Sequence, residues 1–381
     1  MAPSFSISCP STIASPAQSY HRRASLTNSF PTIQCRISDQ RLVSSAAPFP
    51  KDQSLPITPV PIPVLHGLDT GTDTGLRIFS GTANPALSQE IAYYLGLSLG
   101  KSKITWCDVE LLESVEGCNV FLVQPTCHPV DENLMELNFM IDACRKASAK
   151  DITVVIPYFG YSRADKPNQG RESITSRLVS KLIARARADR VLACDLHSEH
   201  LLGFFDIPIN NIYVQPVILD YLASKSLFPN DLVVVSPDAG GVKRARAFAK
   251  KMSDAPLAII EKSRSAHNVA EAINLFGDVR GKVAVMVDDI IDTAGTMAKG
   301  AALLQEAGAR EVYACSTHAV FSPPSIERLS SGLFQEVITT NTISNLAEKN
   351  FPQLTVLSVA NLIAEVIWRI HNKLSVSSLF Q

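Results

Sequence analysis

Short apolar runs alternate with longer amphipathic segments from Leu76 onward, and this alternation constrains the fold more than any other feature of the sequence. Each apolar run has the length of a strand, and each intervening segment is long enough for a helix. Strands that alternate with helices form a mainly parallel sheet. The predicted strands are 77–79, 119–124, 152–157, 190–195, 232–236, 257–261, 283–288 and 312–318, with two more expected after them.

Apolar residues at helical spacing occupy the segments between these strands. In the first such segment Leu87, Ile91 and Leu95 share one face, as in a helix that packs on a sheet. The clearest helices are predicted over 85–99, 133–147 and 296–307.

The chain has 381 residues and more strand–helix units than one doubly wound sheet needs. A predicted helix ends near Ser224, and the sequence SLFPN that follows it is typical of a joint between domains. We therefore predict an α/β protein with tandem domains over 76–222 and 223–381. Each domain is expected to hold a mainly parallel sheet flanked by helices.

The composition is that of a globular protein, with 46% hydrophobic and 19% charged residues. The formal net charge of −1 favours neither a nucleic acid nor a membrane surface as a partner. No uncharged apolar run approaches the roughly 18 residues of a membrane span. The 8 cysteines are scattered singly, without CxxC pairs or zinc-like spacing, which favours a reducing compartment.

The first residues have a different composition from the rest. Before Asp39 there are many Ser and Thr residues, a few bases such as Arg22 and Arg36, and no compact apolar stretch. This is typical of an organellar transit peptide rather than a secretory signal, and the sparse bases favour the chloroplast. An untargeted tail is the alternative. We predict a transit peptide over 1–45 and a Pro-rich linker over 46–75.

The sequence AVMVDDIIDTAGT begins at Ala284 and contains the most informative motif. An apolar strand leads into Asp288 and Asp289, and a loop of small residues then opens a helix. Ligands of open α/β sheets bind at the carboxyl ends of strands, and the N–H groups of a helix start can hold a phosphate. Paired carboxylates suit ribose hydroxyls or Mg²⁺. From these residues alone, a helix cap with solvated acids is an equal alternative.

This motif resembles the phosphoribosyl diphosphate loop of the type I phosphoribosyltransferase fold. Further segments, in order along the chain, resemble class I ribose-phosphate diphosphokinases (phosphoribosyl pyrophosphate synthetases) of the plant plastid type. They are PYFGYSRADK (157–166), GRESIT (170–175), ACDLHS (193–198), GFFDIP (203–208), SPDAGGVKRA (236–245) and NVAE (268–271). Without the resemblance, each has an ordinary alternative, such as a capped strand end, a strand–helix turn or solvent-facing cations.

The resemblance implies two tandem phosphoribosyltransferase-like domains. It implies transfer of the β,γ-diphosphate of ATP to C1 of ribose 5-phosphate, with Mg²⁺ as cofactor and phosphate as activator. It also implies a homo-oligomer, a hexamer built from dimers with sites shared between subunits. ATP is not held by a Walker A loop, because the chain contains no GxxxxGK[ST] motif.

The resemblance also assigns roles to residues. Ribose 5-phosphate is assigned to Asp288, Asp289, Asp292, Thr293, Ala294, Gly295 and Thr296. ATP is assigned to Arg163, Asp165, His197 and Asp238, and its diphosphate to the loop Asp238, Ala239, Gly240 and Gly241. The metal ligands are Asp195, His197, Asp206 and Asp238. Lys262 and Arg264 are the catalytic pair, and Arg171 is the allosteric phosphate contact.

One segment departs from the family pattern. After Ile104 the family has a motif such as RFSDGE, in a loop that reaches the adenine of ATP on a neighbouring subunit. This chain has TWCDVE, and its segment over 105–114 is shortened. Three explanations stay open: Trp106 stacks on the adenine in place of the family residue, part of the adenine site is lost, or the sequence derives from a misjoined exon. The alternative function is a catalytically weak homologue that regulates active subunits.

Overall fold

A computed structural model describes residues 75–167, 170–225, 231–263, 272–344 and 349–380. Its strands are, in chain order, β1 (Leu76–Ser80), β2 (Ser102–Ile104), β3 (Val109–Leu111), β4 (Asn119–Val123), β5 (Asp151–Ile156), β6 (Arg190–Cys194), β7 (Ile209–Ile212), β8 (Leu232–Ser236), β9 (Leu257–Ser263), β10 (Ala272–Phe276), β11 (Val283–Ile291), β12 (Glu311–Ala319), β13 (Glu336–Thr340) and β14 (Leu354–Leu357). Its α-helices are α1 (Pro85–Tyr94), α2 (Val130–Lys146), α3 (Thr175–Arg185), α4 (Gln215–Ser224), α5 (Val242–Lys251), α6 (Gly295–Glu306), α7 (Ser325–Leu329) and α8 (Ala360–His371).

The strands of the described residues form two large sheets and one hairpin. The first sheet has the order β1-β4-β5-β6-β7, and all of its strand pairs are parallel. The second has the order β10-β9-β8-β11-β12-β13-β14 and is parallel except for the pair β9 and β10. Central strands such as β4 and β8 are buried along nearly their whole length. This burial explains their continuous apolar sequences.

Every strand predicted from an apolar run is present, but β2, β3, β7 and β10 were not predicted. Strands β2 and β3 have 3 residues each and pair as an antiparallel hairpin. Strand β7 has the sequence INNI, which lacks the apolar run that marks the other strands. Short or polar strands form because a neighbouring strand offers hydrogen bonds, and local sequence does not record that neighbour.

Helix α1 ends earlier than its spacing predicts. The predicted helix extended to residue 99, whereas α1 ends at Tyr94. Gly96 adopts a φ of +67°, which places it in the left-handed region and stops the helix. At the other end, Asn84 caps α1 by accepting a hydrogen bond from the backbone N–H of Leu87.

The C-terminal helix α8 packs on the first sheet, although most of the preceding strands belong to the second. Ile363 and Ile367 of α8 share a buried cluster with Leu87 and Ile91 of α1 and with Ile78 of β1. The last helix of the chain therefore completes the core of the first sheet. The predicted domain division between residues 222 and 223 stays a prediction, and α8 packs across it.

No α-helix within the described ranges is long and apolar enough to cross a bilayer. The longest of them, α2, has 17 residues and carries charged side chains in its first and last turns. Its apolar residues Leu134, Leu137 and Ile141 are buried in the core of the first sheet. This helix is therefore a covering layer of the sheet.

Replacing Ile367 by Ala is expected to destabilise the protein by about 2–5 kcal/mol, because the fully buried side chain leaves a cavity between α8 and the first sheet. Urea unfolding followed by circular dichroism measures the change. Leu374→Ala is the control, since Leu374 is 47% exposed and its loss should change the free energy of unfolding by less than about 0.5 kcal/mol. Equal midpoints for both variants would contradict the packing role of α8.

Candidate active site

The carboxyl ends of β6 and β11 bring an imidazole and a pair of carboxylates together. His197 lies just after β6, and its Nδ1 is 2.7 Å from Oδ2 of Asp289. Asp288 and Asp289 lie inside β11, because that strand extends to Ile291 beyond its predicted end at residue 288. The extension pairs with β12, where Ile290 lies opposite His318. The sheet thus fixes the backbone of both carboxylates.

Asp289 is the most buried charge of this group, with 2% of its surface exposed. Its Oδ1 accepts a hydrogen bond of 2.9 Å from Nη1 of Arg244, and the same nitrogen is 3.6 Å from Oδ1 of Asp288. His197 lies in the turn after β6 of the first sheet, and Arg244 lies in helix α5 beside the second. Asp289 is therefore held by cationic groups from both halves of the fold.

These contacts change the acidity of the groups in opposite directions. Burial alone would raise the pKa of Asp289, but the hydrogen bond from His197 and the charge of Arg244 outweigh it and hold the pKa well below its usual range. Burial and the adjacent Asp289 charge raise the pKa of Asp288. The hydrogen bond to Asp289 raises the pKa of His197 and favours an imidazolium. Asp289 is therefore the more acidic member of the pair.

The loop after β11 turns sharply into the start of α6. Ala294 adopts a φ of +57° and precedes the first residue of α6, so the backbone turns sharply where the helix begins. A side chain at Gly295 would place Cβ 3.1 Å from Nη1 of Arg328, which itself donates to the carbonyl oxygen of Thr293 at 2.8 Å. The start of α6 offers backbone N–H groups, and Thr296 lies in its first turn.

Asp292 connects this loop to the first half of the chain. Its Oδ2 is 2.6 Å from Nη2 of Arg163, a residue of the turn that follows β5. Asp165, two residues further along the same turn, is only 7% exposed. Oδ1 of Asp165 is buried and has no hydrogen-bond partner in the described part of the chain. Burial alone would raise the pKa of Asp292, but hydrogen bonds from Ser322 and Arg163 outweigh it and lower that pKa.

The loop over 238–241 caps helix α5. Oδ1 of Asp238 accepts a hydrogen bond of 2.8 Å from the N–H of Gly241, and Oγ of Ser236 donates to the carbonyl oxygen of Asp238. A Cβ at Gly241 would lie 2.9 Å from Oγ of Ser236, so a larger residue here would force that hydroxyl to shift. Ala239 and Gly240 are exposed beside Asp238. The loop therefore presents its backbone to solvent, as a diphosphate site would require.

The four residues predicted as metal ligands lie in different surroundings. Asp195 is buried, and its Oδ2 accepts hydrogen bonds from the N–H of Val214 and the hydroxyl of Thr317. Asp206 and Asp238 are exposed. Within the part of the chain that the structure describes, no three His, Cys, Asp or Glu side chains are grouped as a metal site. The metal set stays a prediction.

Of the three cations predicted for catalysis and regulation, Arg171 alone has a side chain within the described residues. Arg171 is exposed in the turn before α3. Lys262 lies in β9, opposite Ile273 of β10, and its side chain is outside the described residues. Arg264 also lies outside them. The catalytic and allosteric roles of these residues stay predictions.

Arg244 and Arg328 were not predicted as site residues. Arg244 lies in the first turn of α5, where the helix dipole disfavours a cation unless a carboxylate is near. Its position at that helix start, directly after the 238–241 loop, was the signal that could have identified it. Arg328 belongs to α7, far along the chain from the Thr293 carbonyl that it binds. Nothing in the local sequence indicates that contact.

The hairpin of β2 and β3 borders a cavity of about 850 Å³. Its walls include Ile104 and Trp106 of the hairpin and Asp131, Glu132 and Met135 of α2. Trp106 is 93% exposed at the hairpin turn. None of the residues predicted for substrates or metal lines this cavity.

Comparison with known proteins identifies the family. Residues 76–186 match the N-terminal domain of ribose phosphate pyrophosphokinase, and residues 261–381 match the phosphoribosyl synthetase-associated domain. Ribose-phosphate pyrophosphokinase 1 of Spinacia oleracea is 72% identical over 314 residues, which cover 81% of this chain and 94% of that protein. The chloroplastic ribose-phosphate pyrophosphokinase 1 of Oryza sativa subsp. japonica is 65% identical over 351 residues, which cover 90% of this chain and 89% of that protein.

A solved structure agrees with these sequence relatives. Phosphoribosylpyrophosphate synthetase from Mycobacterium smegmatis superposes with a TM-score of 0.73 at 39% identity, over 78% of this chain and 99% of the other. This similarity confirms the predicted α/β fold. Relatives named chloroplastic confirm the predicted location. The chain belongs to the ribose-phosphate pyrophosphokinase family.

Proposed function

We propose that this chain is an active ribose-phosphate diphosphokinase. It transfers the β,γ-diphosphate of ATP to C1 of ribose 5-phosphate and releases 5-phospho-α-D-ribose 1-diphosphate and AMP for nucleotide synthesis. The observation that carries this proposal is the buried Asp289, paired with Asp288 on β11 and followed by the Ala294 turn that opens α6. The names of the relatives support the same reaction.

Ribose 5-phosphate binds along this strand and loop. The carboxylates of Asp288 and Asp289 accept hydrogen bonds from vicinal ribose hydroxyls, while the N–H groups at the start of α6 and the hydroxyls of Thr293 and Thr296 receive the 5-phosphate. Asp292 closes the loop through its ion pair with Arg163. The sugar is thereby oriented with C1 toward the residues that bind ATP.

ATP binds through Arg163, Asp165, His197 and Asp238. The hydrogen bond to Asp289 raises the pKa of His197 and favours the imidazolium, whose second N–H donates to a phosphate oxygen. The 238–241 loop adds backbone N–H groups for the diphosphate.

The carboxylates around the ATP site fit Mg²⁺ by their chemistry. Oxygen is the donor that Mg²⁺ prefers, and Oδ1 of Asp165 is buried without a hydrogen-bond partner. Asp206 and Asp238 are exposed and able to hold the ion directly or through water. When bound, Mg²⁺ neutralises charge on the triphosphate. Oδ2 of Asp195 is less suited than the oxygens of Asp206 and Asp238, because two protein hydrogen bonds already reach it.

The reaction needs positioning and charge stabilisation rather than a protein nucleophile. The C1 hydroxyl attacks the β-phosphorus in line with the departing AMP. Lys262 and Arg264 stabilise the negative charge on the diphosphate during its transfer. The electrostatic attraction between a cation and a phosphoryl group is stronger in a site that excludes water. Asp289 and His197 fix the distance between the sugar and the ATP.

The hairpin favours a second candidate, a weakly active subunit that regulates active homologues. Its turn carries TWCDVE, and Trp106 has no covering side chains in the described chain. In the proposed homo-oligomer, a hexamer built from dimers, this turn would meet the adenine of ATP on a neighbouring subunit.

Phosphate would act as an activator through exposed Arg171.

Lys262→Ala is expected to lower kcat by about 10²–10³-fold, because a cation that stabilises the transition state is lost. Release of AMP from ATP and ribose 5-phosphate with Mg²⁺ and phosphate measures the change. Lys150→Ala, at an exposed lysine in the turn before β5, is the matched control and should retain full activity. A folded parent without turnover that alters the rate of an added active homologue would favour the regulatory function.

The pairing of His197 with Asp289 predicts a pH-dependent stability. The pKa of His197 is raised above its usual value of 6.5, so the pairing contributes fully below that pH and is lost as the pH rises through the raised pKa. His197→Ala should therefore lower the urea midpoint most near pH 6, with a difference that narrows in alkaline buffer. Exposed His200, replaced by Ala, is the control. A pH-independent difference would contradict the pairing.

Replacing Trp106 by Ala should raise KM for ATP about 5–50-fold and leave KM for ribose 5-phosphate unchanged, since stacking on a base is worth about 1–3 kcal/mol. Initial rates at varied concentrations of each substrate test this. Trp106→Phe keeps an aromatic face and should retain most of the ATP affinity. Equal kinetics for the Ala variant and the parent would show that the hairpin does not contact ATP.

A further inference from the structure

Asp195 joins the first sheet to the second. It follows β6 directly and adopts a φ of +37°, an uncommon conformation for a residue with a side chain. Its Oδ2 accepts a hydrogen bond of 2.6 Å from Oγ1 of Thr317 on β12 and another of 3.0 Å from the N–H of Val214. A buried carboxylate with such partners is costly to move, because each lost bond leaves a desolvated oxygen.

His318 holds the backbone of the same residue. It is 2% exposed, and its Nε2 is 3.4 Å from the carbonyl oxygen of Asp195. Burial lowers the pKa of His318 to about 4, so the ring is neutral. A carbonyl oxygen only accepts, so this contact requires a hydrogen on Nε2, while Nδ1 lies 2.9 Å from the hydroxyl oxygen of Thr342. The ring of Tyr158 packs against it with centroids 5.0 Å apart.

We call Asp195, Thr317 and His318 the Asp195 clasp. Through it, adjacent residues of β12 bind the side chain and the carbonyl oxygen of one residue at the end of β6. Two residues further on, His197 reaches Asp289 on β11, the strand that pairs with β12. The turn after β6 is thus attached to two neighbouring strands of the second sheet. Without the hydrogen bonds between Asp195 and β12, the turn is free to move, and His197 can shift away from Asp289.

We propose that Thr317 and His318 are positioning residues that hold the turn after β6, through Asp195, so that His197 stays against Asp289. Neither residue is itself assigned to ATP or ribose 5-phosphate, and their side-chain hydrogen bonds to this turn go to Asp195. The inference rests on the proposed function in one respect, namely that His197 contacts ATP.

A purely structural role would give a different pattern of effects. If the clasp only stabilised the core, its loss would lower the free energy of unfolding and leave the kinetics of the folded enzyme unchanged. A positioning role changes the affinity for ATP at unchanged concentration of folded protein. In a positioning role, the change in KM for ATP on removal of the Thr317 hydroxyl also depends on the presence of His197.

The first test compares Thr317→Val with Thr317→Ser by AMP release. The Val variant keeps the shape of the side chain but removes the hydroxyl that binds Asp195, and it should raise KM for ATP about tenfold with a smaller change in kcat. The Ser variant restores the hydroxyl and should return KM to near the parent value. Thr339→Val is the matched control, because Thr339 is also fully buried on the adjacent strand and does not contact Asp195.

The second test repeats Thr317→Val in a chain that carries His197→Ala. The additional effect on KM for ATP should disappear, since the hydroxyl acts through the missing imidazole. An equal tenfold effect in both backgrounds would overturn the proposal. His318→Phe, which keeps a ring against Tyr158 but removes both nitrogens, provides the same comparison if Thr317→Val does not fold.

Crystal structures of the parent and Thr317→Val without ATP separate this inference from the proposed function. The Nδ1 to Oδ2 distance between His197 and Asp289, 2.7 Å in the parent, should exceed hydrogen-bonding range in the variant. An unchanged distance would overturn the clasp even in an active enzyme. A parent without turnover would defeat the proposed function, while the two crystal structures would still decide whether Thr317 positions His197.

Discussion

A buried carboxylate needs cationic or hydrogen-bonding partners, and Asp289 obtains its partners from both sheets. His197 comes from the end of β6, and Arg244 comes from the first turn of α5. Because an unpaired charge at this depth would cost several kcal/mol, the folded state requires both partners to be in place. The carboxyl ends of β6 and β11 must therefore face one another. The same requirement gathers the groups that the proposed reaction uses.

The remaining layers of the fold support this meeting of strand ends. Helix α8 returns from the end of the chain to cover the first sheet, so the second half contributes directly to the stability of the first. Asn341, after β13, accepts a hydrogen bond from the side chain of Asn84 at the start of α1. Such hydrogen bonds depend on the direction between donor and acceptor, whereas the apolar contacts of the cores do not. The cores supply stability, and the polar links set the relative position of the strand ends.

The sequence predicted the parallel strands well because they are buried on both faces and read as unbroken apolar runs. It missed β7, whose residues INNI pair only because β6 lies beside them. It identified the Asp288 and Asp289 pair through a local motif. It did not identify Arg244, or the bond from Thr317 to Asp195, which joins residues 122 positions apart. Long-range contacts arise from the packing of whole layers, and one segment of sequence does not contain that information.

The altered hairpin and the intact strand ends concern two different parts of the proposed function, recognition of the adenine and transfer of the diphosphate. Asp288 and Asp289 lie on the 9-residue strand β11 and His197 lies in the turn after β6, whereas Trp106 lies in the turn of a hairpin outside the two large sheets. A change of length in that hairpin alters what the turn can reach without moving the strand ends. The altered sequence and length of the hairpin should therefore affect recognition of the adenine rather than transfer of the diphosphate. This is why an active enzyme, rather than a regulatory subunit, is the function that the site supports best.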